Sequence, residues 1–281
     1  MIKVISHNIS GAGYRKPEEG KERLLKPFVI ENALSFNPDV IFFLEYAFPT
    51  NHEEVVKWLN NAGYNVRTTD FPTQKHQNGI LAAVKSNLNI RDKVLTIYNE
   101  ETKSLDQPDV LALKLDDGSK EYMIVGVRVR VRVGVNIPDS DKLKLKSDQI
   151  RVIASFLEKS DDRTIVIGDT NYKSYVLKRK SIVTGVNKKS VPTRADVNWS
   201  NCNFEVPKGD SYQFKIKGVK EPIHMDCDLA ITKNIDKVSV EPYNWDFEEK
   251  DDIYKGKARF EYASIKEGYY PDHPAVILTV G

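Results

Sequence analysis

Cysteine is nearly absent from this 281-residue chain, which has only Cys202 and Cys227. Two thiols cannot form the framework that staples small secreted domains, and they lack the paired spacing of a zinc site. A reducing compartment fits best, with room for one disulfide at most. Net charge is equally scarce, since 42 Lys and Arg face 40 Asp and Glu. A polyanionic partner must therefore be met by a local basic patch, not by overall charge. No run approaches the roughly 18 apolar residues of a membrane span, and the amino terminus lacks an apolar stretch of signal-peptide length. A cytoplasmic protein without a membrane span is the expectation. Repeats, low-complexity tracts and Pro/Gly/Ser-rich linkers are also missing, which leaves residues 1–281 as one domain.

What is present is a folding composition, with 40% hydrophobic and 29% charged residues, against extended disorder. Short Val/Ile-rich runs read as strands: Ile2 to Ile5, Val40 to Leu44, Ile80 to Val84, Val110 to Leu115, Met123 to Val131, Ile165 to Ile167, Leu229 to Ile231 and Val276 to Val280. Helical spacing appears in Lys21 to Leu34, Glu53 to Leu59 and Leu143 to Leu157, the last with Leu145, Ile150, Ile153, Ala154 and Leu157 on one face. From Met123 to Val133 the alternation is strict. It predicts Val125, Val127, Val129, Val131 and Val133 on a buried face and Arg128, Arg130 and Arg132 on a basic one. Strand-helix-strand units early in the chain, then strand-rich stretches, suggest a sheet sandwich flanked by helices, not a doubly wound sheet or an eightfold barrel.

Polar residues that interrupt an apolar strand at its end are costly unless satisfied or used. The first strand runs into His7 and Asn8 before a Gly-containing turn, where a plain turn amide is the alternative. Asp39-Val-Ile-Phe-Phe-Leu-Glu45 ends in a carboxylate that either caps the next segment or offers an oxygen ligand to a hard cation. Thr164-Ile-Val-Ile-Gly-Asp169-Thr-Asn171 places two carbonyl-bearing side chains two residues apart, able to face one site. An Asx turn would be the bland reading. Asp226 and Asp228 share a face at the start of a strand, and Asp228 is preferred because the apolar run follows it directly. Asp272 and His273 sit between prolines before the closing strand, where a carboxylate can orient an imidazole for acid/base work.

The order of these features resembles the endonuclease/exonuclease/phosphatase superfamily, with its deoxyribonuclease-like fold, along nearly the whole chain. Asn follows the first strand, Glu the second, Gly-Asp-x-Asn lies in the middle, Asp opens a late strand, and Asp-His precedes the last. Asn78-Gly79-Ile-Leu-Ala-Ala-Val-Lys85 resembles a Gly-containing strand of that family, and the helix around Gln149 sits where the family has one. Gly-Asp-Thr-Asn is similar to the tyrosyl-DNA phosphodiesterase branch. The resemblance implies an α/β (α+β) fold, a four-layer sandwich of two packed mixed β-sheets flanked by helices.

It also implies roles. Asn8, Glu45 and Asp272 would hold one or two magnesium ions, with manganese an alternative suited to the same oxygen donors. Asp169 and Asn171 would position or deprotonate the attacking water, and His273, paired with Asp228, would stabilise charge on the phosphate. Asn78, in the family-like strand, is a candidate to contact substrate, as are Arg130 on the basic strand face and Tyr172 as a stacking aromatic. Two positions depart from the pattern. Arg128 stands where the family usually has His or Tyr on the phosphate, and arginine can bind phosphate bidentately. Leu44 stands where most relatives carry Gln before the metal-binding Glu45.

Lysines cluster in Lys142-Leu-Lys144-Leu-Lys146, Lys173 to Lys180 and Lys188-Lys189, with Tyr172, Tyr175 and Trp199 available for stacking. These suit a nucleic acid, DNA favoured. The expected activity is thus a metal-dependent phosphodiesterase, a nuclease or DNA-end-processing enzyme. The alternatives are a phosphatase acting on a nucleotide, inositol phosphate or lipid headgroup, and an inactive module that binds nucleic acid or phosphate.

Overall fold

The computed structural model describes residues 1–9, 25, 27–69, 79–91, 107–131, 139–179, 181–186, 192–207, 212–214, 223–243, 273 and 275–281. In chain order its elements begin with β1 (Ile2–Asn8), α1 (Pro27–Ser35), β2 (Val40–Tyr46), α2 (His52–Asn61), β3 (Tyr64–Thr68), β4 (Gly79–Lys85), β5 (Asn89–Ile90), β6 (Asp109–Asp116) and β7 (Glu121–Arg128). There follow α3 (Asp139–Lys159), β8 (Arg163–Asp169), α4 (Ser174–Leu177), β9 (Ser181–Val186), β10 (Pro192–Asp196) and β11 (Cys202–Glu205). The last are β12 (Tyr212–Phe214), β13 (Ile223–Met225), β14 (Asp228–Lys233), β15 (Val238–Tyr243) and β16 (Ala275–Val280).

Two six-stranded mixed sheets form the body, ordered β15-β16-β1-β2-β4-β3 and β11-β14-β8-β7-β6-β5. Each has one parallel pair, β1 with β2 and β7 with β8, and antiparallel neighbours on both sides. Between the sheets lie Val4, Val40, Phe42, Leu44, Ile80 and Leu278 from one and Leu111, Leu113, Ile124, Ile165, Ile167 and Ala230 from the other. The outer face of the first sheet packs Ile5, Ile41 and Phe43 against Val29 and Ile30 of α1 and Val55 and Leu59 of α2. The outer face of the second packs Val125, Val127 and Val166 against Ile150, Ile153, Ala154 and Leu157 of α3. Helix, sheet, sheet, helix is the four-layer order expected from the sequence.

Local chemistry explains the helices. Pro27 opens α1 at a position where its missing N–H costs nothing. Glu53 and Glu54 complement the dipole in the first turn of α2. The carboxyl end of α3 is held by Lys233 of β14, whose ammonium donates to the Leu157 and Glu158 carbonyls at 2.7 and 3.2 Å. Within the expected helix Lys21 to Leu34, residues 21–24 and 26 lie outside the described residues.

The alternating Val/Arg stretch needs a correction. Strand β7 ends at Arg128, not at Val131, and the face shared by Ile124, Gly126 and Arg128 is turned to the inter-sheet core, not to solvent. An inner strand is covered on both faces, so alternation marks two different buried environments here. Arg132 and Val133 lie outside the described residues.

Gly168 is where β8 must turn its next residue into the site. Its φ is +151°, and a Cβ there would overlap the Val127 carbonyl oxygen of the parallel neighbour. Gly168→Ala is therefore expected to lose about 3 kcal/mol, read as a lower denaturant midpoint. An unchanged midpoint would show that β7 and β8 do not approach this closely.

Candidate active site

The carboxyl ends of both parallel strand pairs open on the same edge of the sandwich. Asn8 ends β1, Glu45 is the penultimate residue of β2, Arg128 ends β7 and Asp169 ends β8. The antiparallel neighbours complete the edge: β14 starts at Asp228, directly opposite Asp169, and His273 precedes β16.

Glu45 is aimed by backbone irregularity. The β2–β4 register shifts between Leu44 and Tyr46, and Glu45 takes φ +54°, a bulge that redirects its side chain. Such a left-handed conformation is unfavourable for a residue with a Cβ, and strain of this kind concentrates at functional sites. Leu44, just before it, is fully buried between the sheets. Asn8 donates through Nδ2 to Glu45 Oε1 at 3.2 Å and to Asp169 Oδ2 at 3.1 Å, so it ties one sheet to the other.

Asp169 is buried and fully engaged. Asn171 donates its backbone N–H to Oδ1 at 2.8 Å and its amide to Oδ2 at 3.0 Å, while the same amide reaches the Val129 carbonyl at 2.7 Å. Asn171 adopts φ +51°, which an asparagine tolerates better than most residues. Burial, and after it the charge of Asp228, pushes the Asp169 pKa up to about 6 against the pull of His273, Arg128 and the Asn171 N–H. A raised acid binds its proton more tightly when folded, so its stabilising contribution is present at low pH and is lost as pH rises through about 6. Following the Asp169 side-chain carboxyl by NMR in the metal-free protein should give a midpoint near pH 6. A midpoint near the ordinary ~4 would contradict this environment.

His273 and Asp228 are a buried pair, with Nδ1 to Oδ2 at 2.7 Å. The carboxylate accepts from Nδ1–H and so sets the tautomer. His7 Nε2 lies 3.2 Å from the His273 carbonyl and anchors the segment from the other sheet. Between the two acids left open by the sequence, the geometry separates the tasks: Asp226 accepts from the backbone N–H and hydroxyl of Ser174, the first residue of α4, while Asp228 meets the imidazole. Cys227 adds a thiol 3.6 Å from Asp228 Oδ2. Together with His273 these offer sulfur, oxygen and nitrogen within 4.8 Å of one another, a mixed set unlike the oxygen donors of Asn8, Glu45 and Asp169. The all-oxygen set fits a hard divalent cation in donor type.

A scan against protein-family models finds no match for this sequence, and neither does a search of curated proteins. Solved structures do match in shape. TDP2 of D. rerio, complexed with single strand DNA product, aligns over 100% of this chain and 98% of its own with a TM-score of 0.60 at 12% identity. ANGEL2, described as a 2′,3′-cyclic phosphatase, in complex with adenosine-2′,3′-vanadate, covers 99% and 94% with a TM-score of 0.62 at 10% identity. The human Nocturnin catalytic domain with bound sulfate anion covers 100% and 93% with a TM-score of 0.55 at 14% identity. This chain shares its fold with these three proteins. The resemblance drawn from motif order and the shape comparison agree on that fold, with TDP2 among its neighbours.

Arg128, the departure expected from the sequence, sits between two acids. Its guanidinium meets Glu45 Oε1 at 2.6 Å through Nη2 and Asp109 Oδ2 at 3.2 Å through Nη1. Burial opposes its charge, but Glu45, Asp109 and Asp169 hold it protonated. Arg130 also pairs with Asp109, and its backbone is clamped by buried Gln149, which accepts the N–H at 2.6 Å and donates to the carbonyl at 3.2 Å. Asp109 was not singled out by sequence. It stands opposite Arg128 across β6 and β7, a cross-strand pairing that no local motif signals.

Other expectations shift. Tyr172 is 7% exposed, packed in the layer beneath α3 with the Lys146 ammonium 4.4 Å over its ring, so it has no open face for a base to stack on. Lys146, expected among exposed lysines, donates to the Asn171 carbonyl, and burial lowers its pKa. Among the described residues Tyr175 is the exposed aromatic, 56% accessible, and Trp199 packs edge-on to Phe204 at 5.2 Å. Asn78, Asp272, Lys180, Lys188 and Lys189 lie outside the described residues. Among the described residues no helix is long and apolar enough to cross a membrane.

Proposed function

We propose that this protein is a divalent-metal-dependent phosphodiesterase that hydrolyses nucleic acid, DNA favoured. The observation that carries the reading is the convergence of Asp169 with Asn171, Asp228 with His273, and Asn8 with Glu45 at one edge of the sandwich. A buried carboxylate with a raised pKa, a carboxylate-oriented imidazole and an oxygen-donor set are what phosphoryl hydrolysis by water requires.

Asn8 and Glu45, with Asp272, are the residues that would hold magnesium or manganese. A bound divalent ion would polarise the phosphoryl oxygen and stabilise the departing alkoxide. The chain's own groups do the rest. Asn171 keeps the Asp169 carboxylate in place, and Asp169 takes a proton from the attacking water as its oxygen bonds to phosphorus and the opposite P–O bond breaks. His273, held by Asp228, acts through Nε2 on a phosphate oxygen, and no covalent enzyme intermediate is needed. Arg130, half-buried beside Asp109, and the lysines of α3 outside Lys146 supply positive charge for a polyanion.

The test incubates the protein with labelled single- and double-stranded DNA, RNA and a 5′-phosphotyrosyl DNA oligonucleotide, with magnesium, with manganese and with chelator. Cleavage that needs metal and weakens steeply with salt is expected. A phosphatase reading is favoured by the likeness to ANGEL2, so a 2′,3′-cyclic nucleotide, an inositol phosphate and a nucleotide monoester belong in the same series. Turnover of one of these with no cleavage of any nucleic acid would sink the leading reading.

A further inference from the structure

Glu45 carries two roles that compete. In the metal reading just given it is a ligand for a divalent cation, yet here its Oε1 is 2.6 Å from a guanidinium. That guanidinium bridges the sheets, with Glu45 of β2 on one side and Asp109 of β6 on the other. Only 16% of the Arg128 side chain is exposed, against 20% for Glu45 and 4% for Asp109, so water screens these charges weakly. Arg128 Nε is buried and meets no acceptor among the described residues, which is costly for a charged fork.

We propose that Arg128 couples metal binding to phosphate binding. The inference rests on the phosphodiesterase reading and concerns how its site is loaded. Without ligand, the guanidinium neutralises Glu45 and opposes a second cation at the same oxygens by like-charge repulsion. A phosphate offers that fork two oxygens in the geometry guanidinium binds best, including an acceptor for Nε. Arg128 then turns from Glu45 to the phosphate, and Glu45 passes to the metal. Because each ligand favours the same arrangement, each tightens the other by the same factor. Asp109 remains paired with Arg130 throughout, so the buried carboxylate keeps a cation.

Mn2+ binding, read from the EPR signal of free Mn2+, tests this without relying on turnover. Titrations are run with and without saturating thymidine 5′-monophosphate, with the nucleotide's own Mn2+ binding subtracted from a protein-free control. In the wild type the nucleotide should tighten Mn2+ about tenfold or more. Arg128→Gln keeps size and hydrogen bonding but removes the charge. It should bind Mn2+ more tightly than wild type without nucleotide and show less than a twofold response to it. Arg128→Lys, which keeps the charge, should bind Mn2+ alone about as weakly as wild type. Equal Mn2+ affinity with and without nucleotide in the wild type overturns the coupling, and does so even if a variant fails to fold. Absence of Mn2+ binding in every condition overturns instead the metal reading beneath it, and the coupling with it.

Discussion

Asp169→Asn is expected to lower kcat by about 10³-fold with little change in melting temperature. The amide cannot accept the proton of the attacking water. It can still present its oxygen to the Asn8 and Asn171 amides, which now meet Oδ2 at 3.1 and 3.0 Å. Its NH2 then faces the Asn171 backbone N–H, and that lost hydrogen bond costs about 1 kcal/mol. Against this loss stands relief from a buried charge that Asp228 and desolvation already make unfavourable. Stability and activity therefore part company, and steady-state kinetics beside a thermal melt reads both. A variant with near wild-type kcat would remove Asp169 as the base.

Asp228→Asn should cost about 10²- to 10³-fold in kcat for a different reason. The carboxylate at 2.7 Å accepts from His273 Nδ1–H, and an amide can instead donate to that nitrogen and favour the opposite tautomer. A second readout separates this from general damage. Since the Asp228 charge helps raise the Asp169 pKa, its removal should move the Asp169 carboxyl midpoint downward from about 6. Asp226→Asn, which only loosens the Ser174 cap, should leave that midpoint where it is.

The readable part of this fold was the part driven by burial. Val40, Ile80, Leu113, Ile165 and Leu278 sit in uninterrupted apolar runs because inner strands are covered on both faces, and each such run is a strand. Edge and hairpin strands were invisible for the opposite reason. Strand β3 is only partly buried, β11 is mostly half-exposed, and their polar residues leave no periodic signal. The same covering of both faces limits the reading of Met123 to Val133, where alternation predicted one buried and one basic face and both faces of β7 are covered.

At the site, residues that end a strand were legible because a carboxylate or amide after Val and Ile is conspicuous: Asn8, Glu45, Asp169 and Asn171 all stand out this way. What could not be read was how they meet. The positive φ that turns Glu45 inward follows from a bulge against β4, not from any preference of glutamate. Asp109 matters through partners 19 and 21 residues away, and the inward turn of Lys146 toward Asn171 depends on how α3 packs.

The central claim is that this edge of the sandwich is a metal-dependent centre for phosphodiester hydrolysis. Single-turnover cleavage of an end-labelled single-stranded DNA oligonucleotide, comparing wild type with magnesium, wild type with chelator and Asp169→Asn with magnesium, tests it most directly. Cleavage in the first and loss in the other two is the predicted result. Equal cleavage in all three, or none in the first, would contradict it.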